Sequence, residues 1–339
     1  MTARIAAALA GLGNSGRHYH LPFLLNSNTL DLKAVAVGSA ASLGEARAAV
    51  SAEVDVVVGW ENVVARPDVE LVVIALPHWL HYAAAKRALE HGKHVLVEKP
   101  MTMTTAEADD LIATAEAHSL TLLVHHQRRF EADFQRMAQL VAAGQIGEPW
   151  RIVVNRTHQG RYHASTPQAP HVGSRVLGWA HEPNAGGGVG RVIGPHPVDH
   201  LLTLAGSRVV AVDGWVHMDP DDLVDDWLGV DVGFASGLTG HVEIFRRSGI
   251  APPRFTVYGS KGTIVAPDGK TLEIECDGKR SIIGGLEPPG VLGAEIYDDL
   301  TAAINEGIPP RITAAEAREV VNVLERAYSA AMIRRAKTQ

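Results

Sequence analysis

Ile5-Ala6-Ala7-Ala8-Leu9-Ala10-Gly11-Leu12-Gly13-Asn14-Ser15-Gly16 decides the fold of this chain. An apolar run suited to a buried strand leads straight into G-x-G-x-x-G. In a dinucleotide-binding fold this is where pyrophosphate is received. Gly11 then allows the tight turn, Gly13 lets backbone approach the phosphates, and Gly16 lets the following helix pack close to its strand. Phosphates held there face the positive end of the helix, where unpaired N–H groups point at them. Asn14 and Ser15 belong to the same turn and are candidate cofactor contacts. Ordinary turn glycines produce the same pattern, which gains meaning only from its surroundings.

Those surroundings repeat the alternation of strand and helix. Strand-like runs fall at 4–10, 32–37, 54–58, 71–76, 94–97 and 120–125, with helical stretches at 80–91 and 104–118 among them. Apolar strands separated by amphipathic helices predict a parallel sheet covered on both faces. Six strands is the count of a full doubly wound fold. After about residue 124 the pattern changes. A helix over 130–143 ends at Gly144, and further strand-like runs follow near 150–157 and at 209–216, 227–234, 239–245, 255–258 and 263–265. Alternation with period two, as in Val230-Asp231-Val232-Gly233-Phe234, predicts a sheet with one solvated face. Two helices close the chain; Thr313 and Glu316 predict a capping box at the start of the last one. The expected organisation is a dinucleotide-binding domain over 1–124 and a substrate-binding and oligomerisation domain over 125–339.

Composition narrows the class of function. A chain of 339 residues has ample material for two cores. Its net charge of -7 disfavours nucleic acid and anionic membranes as partners. A lone cysteine, Cys276, excludes an internal disulfide and suits a reducing compartment; a strand residue is its expected role. No apolar run is long enough to span a bilayer, and a cytoplasmic location is expected.

Three further segments carry candidate chemistry. The second strand ends in Val37-Gly38-Ser39-Ala40, without the acid that accepts hydrogen bonds from the ribose of NAD. A small residue leaves room for a 2′-phosphate and Ser39 can donate to it, so NADP is expected over NAD; Arg47 lies further on, in the next helix. The fifth strand runs into Glu98-Lys99-Pro100, at a strand end that faces the ligand crevice in this fold. Beside a positively charged nicotinamide a lysine loses proton affinity, which suits Lys99 to proton transfer near neutrality. The third segment is Gly186-Gly187-Gly188-Val189-Gly190-Arg191-Val192-Ile193-Gly194-Pro195-His196-Pro197-Val198-Asp199-His200. Its glycines admit close approach of a ligand or another backbone. His196 lies near a helix start and is suited to exchanging protons with a hydroxyl or ketone. His196 and His200 share the i, i+4 spacing of metal ligands, but such pairs are more often structural and no metal is expected. A long polar segment over 159–185 contains Arg161, Tyr162, His163, His171, Arg175, Trp179 and His181, types that suit the faces and hydroxyls of a sugar ring.

Taken together, these motifs resemble the glucose–fructose oxidoreductase, inositol dehydrogenase and MocA (Gfo/Idh/MocA) family. Supporting stretches include Ala75-Leu76-Pro77-His78-Trp79-Leu80-His81, Gln127-Arg128-Arg129-Phe130 and Arg254–Thr263. His20-Leu21-Pro22, His125–Phe130, Gly194-Pro195-His196 and Val224-Asp225-Asp226 make the NADP-linked scyllo-inositol dehydrogenase type the most similar. The resemblance implies a Rossmann domain followed by an α/β domain with an open, mostly antiparallel sheet, commonly used for homodimers or homotetramers. It implies hydride transfer between NAD(P) and a secondary alcohol of a sugar or cyclitol, with Lys99 and His196 catalytic. Leu76, Pro77, His81 and Glu98 are the implied further cofactor contacts. Arg129, Tyr162, Trp179, Arg191, Asp199 and His200 are implied in substrate binding.

One departure from the family pattern stands out. An aspartate usually lies four residues before the histidine; here that position is Val192. Lys99 and His196 can suffice, or His181, Tyr162, Asp199 or Arg191 can substitute. The remaining expectations are a cofactor-binding sensor without turnover and a glycosidase that oxidises its sugar transiently. An inward-facing Arg191 favours an anionic substrate.

Overall fold

The computed structural model describes residues 4–157, 178–218, 223–246, 250–287 and 292–338. The chain divides into two compact units. The first comprises 1–126 with 293–321, the second 127–292 with 322–339.

The first unit is built on six strands: β1 Ile5–Ala10, β2 Leu30–Val37, β3 Asp55–Val58, β4 Leu71–Ile74, β5 His94–Val97 and β6 Leu122–Val124. They lie in the order β3-β2-β1-β4-β5-β6, every pairing parallel. Buried on both faces, strands such as Leu71–Ile74 read as unbroken apolar runs. Alanines on β1 and β2 share the core with Ala84, Ala85 and Ala88 of the helix His78–Glu90, where small side chains let a helix approach the sheet. Thr104 and Glu107 cap the helix Thr105–Ala117 reciprocally. The strand order reverses between β1 and β4, and in such sheets ligands bind outside the carboxyl ends of the strands at that point.

Residues 293–321 return to this unit, with Ala317 and Val321 in its core. The expectation of one continuous second domain over 125–339 therefore differs from the observed division. An alanine-rich amphipathic helix carries no mark of which sheet it covers.

The second unit holds β7 Pro149–Thr157, β8 Val209–His217, β9 Trp227–Phe234, β10 Thr239–Phe245, β11 Phe255–Gly259, β12 Gly262–Ala266, β13 Leu272–Cys276 and β14 Lys279–Ile283. Their order is β14-β13-β12-β11-β7-β10-β9-β8; only β7 and β10 pair in parallel. This is the mostly antiparallel open sheet expected. On its inner face Gly240 admits Leu201 of the helix Pro195–Ala205; a Cβ at Gly240 would lie 2.6 Å from a Leu201 methyl. The β13–β14 hairpin was not expected beyond the strand setting of Cys276. Its turn is Asp277-Gly278, with φ of 51° and 75°, as a two-residue hairpin turn requires. The capping box at Thr313 is formed: Glu316 N–H donates to the Thr313 hydroxyl at 3.2 Å, and Thr313 N–H to the Glu316 carboxylate at 2.8 Å. Among the described residues no helix is long and apolar enough to cross a membrane.

Candidate active site

In the first unit the glycine turn divides its three glycines by task. Gly11 has φ of 104°, and a Cβ there would lie 2.4 Å from the Ala75 carbonyl oxygen. At Gly16 a Cβ would lie 2.1 Å from the Gly11 carbonyl oxygen. Both positions exclude a side chain because protein backbone fills the space. Gly13 differs: nothing lies within 4 Å of its would-be Cβ. The open side of the turn, flanked by exposed Asn14 and half-buried Ser15 at a helix start, fits the pyrophosphate of a dinucleotide.

The helix that follows is locally widened. Over Gly16–His20 it is a π-turn, in which Leu21 N–H donates to the Gly16 carbonyl five residues back. Such turns cluster at functional sites. Here the turn delivers His20 fully into the interior.

At the end of β2 Ser39 is exposed, with its hydroxyl 3.4 Å from that of Ser42. Arg47 points elsewhere, donating to the Val54 carbonyl. The cation overlooked in the sequence is Arg17. It follows the third glycine directly and pairs at 2.6 Å with Glu45, in the helix that follows Ser42. A basic residue just after the glycine motif was the available signal.

Beyond β5, the Lys99–Pro100 peptide is cis and Lys99 is half-buried. Leu76 and Pro77, at the end of β4, are half-buried too. Two implied cofactor contacts occupy interior positions instead. The His81 ring lies between the Pro100 carbonyl, 2.7 Å from Nδ1, and the Leu76 carbonyl, 2.8 Å from Nε2. Burial lowers its pKa, and a neutral ring donates to one of the two. It ties together the two loops that follow β4 and β5. Glu98 is buried, with both carboxylate oxygens hydrogen-bonded inside the protein. Burial raises its pKa, yet hydrogen bonds and charge from His125 and His20 outweigh burial and hold it well below the usual carboxylate range. In the sequence Tyr297 carries no signal, and His20 and His125 stand only among the marks of family resemblance.

In the second unit the glycine segment packs against protein. A Cβ at Gly187 would lie 2.5 Å from the Ala180 carbonyl oxygen, one at Gly188 2.0 Å from Asp225 Oδ1, and one at Gly190 2.4 Å from the Tyr328 hydroxyl. Asp225 accepts from Gly190 N–H at 2.7 Å and from the Tyr328 hydroxyl at 2.8 Å. Burial raises its pKa against these bonds. Arg191 is stacked over the Tyr328 ring, 5.0 Å from its centroid, rather than extended.

The helix Pro195–Ala205 begins with a proline, as expected. His196 is in its first turn and buried. Asp199, one turn on, is committed to a fork with Arg129: Nε donates to Oδ2 at 2.8 Å and Nη2 to Oδ1 at 2.7 Å. Both partners are buried, so these two implied substrate contacts hold each other. His200 donates through Nε2 to the Arg128 carbonyl at 2.9 Å and stacks on Phe134 with ring centroids 4.1 Å apart. Burial lowers its pKa to about 4. It is part of an aromatic core with Phe255, not of a metal-ligand pair. Trp179 and His181 are half-buried. Tyr162, with Arg161, His163, His171 and Arg175, lies outside the described residues.

A model of the oxidoreductase family with an NAD-binding Rossmann fold matches residues 5–126, and one for the GFO/IDH/MocA C-terminal domain matches residues 134–265. An uncharacterised oxidoreductase of Schizosaccharomyces pombe, C26H5.09c, is 34% identical over 60% of this chain; the match spans about half of that relative, 53% of its length. A Bacillus subtilis scyllo-inositol 2-dehydrogenase (NADP(+)) is 25% identical over 98% of this chain and 95% of its own. The structure of an NAD-binding protein from Listeria innocua superposes with a TM-score of 0.82 at 25% identity, covering 98% of this chain and 96% of that one.

Proposed function

The chain belongs to the GFO/IDH/MocA family of NAD(P)-dependent oxidoreductases, and on that premise we propose that it exchanges hydride between NADP and a secondary alcohol of a neutral sugar or cyclitol. The observation that carries the reading is the open face at Gly13, in the turn after β1 of the sheet whose β5 runs into Glu98-Lys99. The glycine turn and the helix start behind it hold the pyrophosphate. When bound, the nicotinamide ring accepts or returns the hydride. Lys99 takes the hydroxyl proton during oxidation and gives it back during reduction. By family resemblance His196 is the second group of the site, orienting the hydroxyl or relaying its proton.

Several observations refine the substrate and cofactor. Asp199 is paired with Arg129, which supports Lys99 and His196 acting without it in place of the family aspartate missing at Val192. Arg191 lies over Tyr328, which supports a neutral substrate over an anionic one. The absence of an acid after β2, the paired hydroxyls of Ser39 and Ser42, and Arg17 nearby on Glu45 support NADP. The Bacillus relative is named for the same cofactor. Trp150, Val210 and Trp215 are exposed on the second sheet and support the homodimer or homotetramer that the resemblance implies.

The test is absorbance at 340 nm with NADP and then NAD, across inositols, aldoses, uronates and anhydrosugars. Growth of signal with NADP and a neutral polyol is expected. Lys99→Ala is expected to lower turnover about 10²- to 10⁴-fold with little change in cofactor affinity. A flat trace, with cofactor binding intact, would turn the reading towards a sensor or a redox-neutral glycosidase.

A further inference from the structure

Four side chains from four separate stretches meet inside the first unit. His20 comes from the π-turn after the glycine motif, Glu98 from the end of β5, His125 from the end of β6, and Tyr297 from the helix Ala294–Glu306. Glu98 Oε1 lies 3.1 Å from His20 Nε2 and 3.0 Å from His125 Nδ1; Oε2 accepts from the Lys99 backbone N–H at 3.1 Å. The Tyr297 hydroxyl lies 2.8 Å from His20 Nδ1. Both imidazoles are fully buried.

One proton arrangement satisfies these contacts. His20 carries its proton on Nε2 and accepts from Tyr297 at Nδ1; His125 carries its proton on Nδ1. An ionised Glu98 then receives three N–H donors. A carboxylate without such donors would not stay charged at this depth. The ligand atoms of His20, Glu98 and His125, all within 4.8 Å of one another, also have the spacing of a metal-ligand set. Their hydrogen bonds satisfy Glu98 without an ion.

We propose that Glu98 is a positioning residue for proton transfer: His20 and His125 fix its carboxylate, which in turn fixes the main chain of Lys99. The inference rests on Lys99 being the proton-transfer group. The network joins the cofactor helix to the lysine, so a change at buried His20 reaches Lys99 through a chain of three hydrogen-bonded residues. Groups acting electrostatically with Glu98 are His20, His125, His81 and Tyr297. The two histidines that donate to it lower its pKa against burial, so losing one donor moves that pKa upward. A carboxylate that is ionised across the working range would then take up a proton as pH falls.

The test compares turnover, cofactor affinity and pH profile for wild type, His20→Leu, His125→Leu and the donor-preserving His20→Gln and His125→Asn. In the leucine variants turnover should fall about tenfold or more, with an acid limb displaced upward by about one pH unit. Cofactor affinity should change less than about threefold, as expected for loss of a group that acts on the chemical step. The glutamine and asparagine variants should recover most of the turnover and the wild-type profile. If a leucine variant does not fold, Glu98→Gln replaces it: turnover should again drop about tenfold at unchanged cofactor affinity. Leucine or Glu98→Gln variants with wild-type turnover and profile would overturn the proposal. So would one equivalent of a divalent metal by mass spectrometry whose removal abolishes activity, since the trio would then be ligands. Full turnover in Lys99→Ala would instead overturn the underlying role of the lysine.

Discussion

The two glycine-rich turns, Gly11–Gly16 and Gly186–Gly190, look alike as sequence and differ in what their missing side chains make room for. In the first, backbone fills the space at Gly11 and Gly16, while Gly13 faces emptiness. In the second, Gly187, Gly188 and Gly190 are all occupied from within, by the Ala180 carbonyl, Asp225 and Tyr328. A glycine that fits against protein is a packing residue; one whose Cβ would point into open space is where a ligand can approach backbone. That contrast supports the proposal of the first turn as the cofactor-binding element, while the second packs against protein ahead of the helix that bears His196.

The sharpest break of this comparison is Gly188→Ala. Its φ of 101° and the 2.0 Å approach to Asp225 leave a methyl group nowhere to go. A loss of about 4 kcal/mol or more is expected, read as a melting temperature lowered by roughly 10 °C or as insoluble protein. A melting temperature within a degree or two of wild type would return this turn to the list of ligand-facing elements. The next effect concerns Arg129 and Asp199. Arg129→Met should destabilise by about 3 to 5 kcal/mol, because it strands a buried carboxylate. Adding Asp199→Leu should recover much of that loss in denaturant titration if the pair is structural.

The smallest effect is a pH dependence. Burial lowers the pKa of His200 from 6.5 to about 4. Above pH 6.5 neither folded nor unfolded chain holds that proton, and the histidine has no effect on the pH dependence. As pH falls towards 4 only the unfolded chain binds it, so stability declines with a slope of about 1.4 kcal/mol per pH unit. His200→Phe should remove that share of the slope in urea titrations at pH 4.5, 5.5 and 6.5, whatever its effect on stability at neutral pH.

What the sequence made legible follows from the range of each interaction. The Rossmann sheet, the glycine turn, Ser39 and Glu98-Lys99-Pro100 are local: strand periodicity and the position of a strand end place them. The antiparallel sheet was legible where alternation is strong. The β13–β14 hairpin at the sheet edge was missed apart from the strand setting of Cys276; β14 exposes Lys279, Arg280 and Ser281 and carries no apolar run. The roles of Arg129, Asp199 and Glu98 depend on partners far along the chain, 70 residues apart for Arg129 and Asp199 and 78 for Glu98 and His20. No spacing rule reports such pairings, and polar residues at a site look the same whether they face a ligand or each other. Tyr297 reaches His20 across 277 residues, and it does so only because 293–321 folds back onto the first unit.

The most direct measurement is fluorescence titration of NADPH into wild type and Gly13→Val, with thermal melts of both. A valine in that open space should leave the melting temperature nearly unchanged and weaken NADPH by about 100-fold or more, through steric exclusion of the pyrophosphate. NADPH bound with wild-type affinity by the folded variant would contradict the assignment of the first turn as the cofactor site, and the difference between the two turns with it.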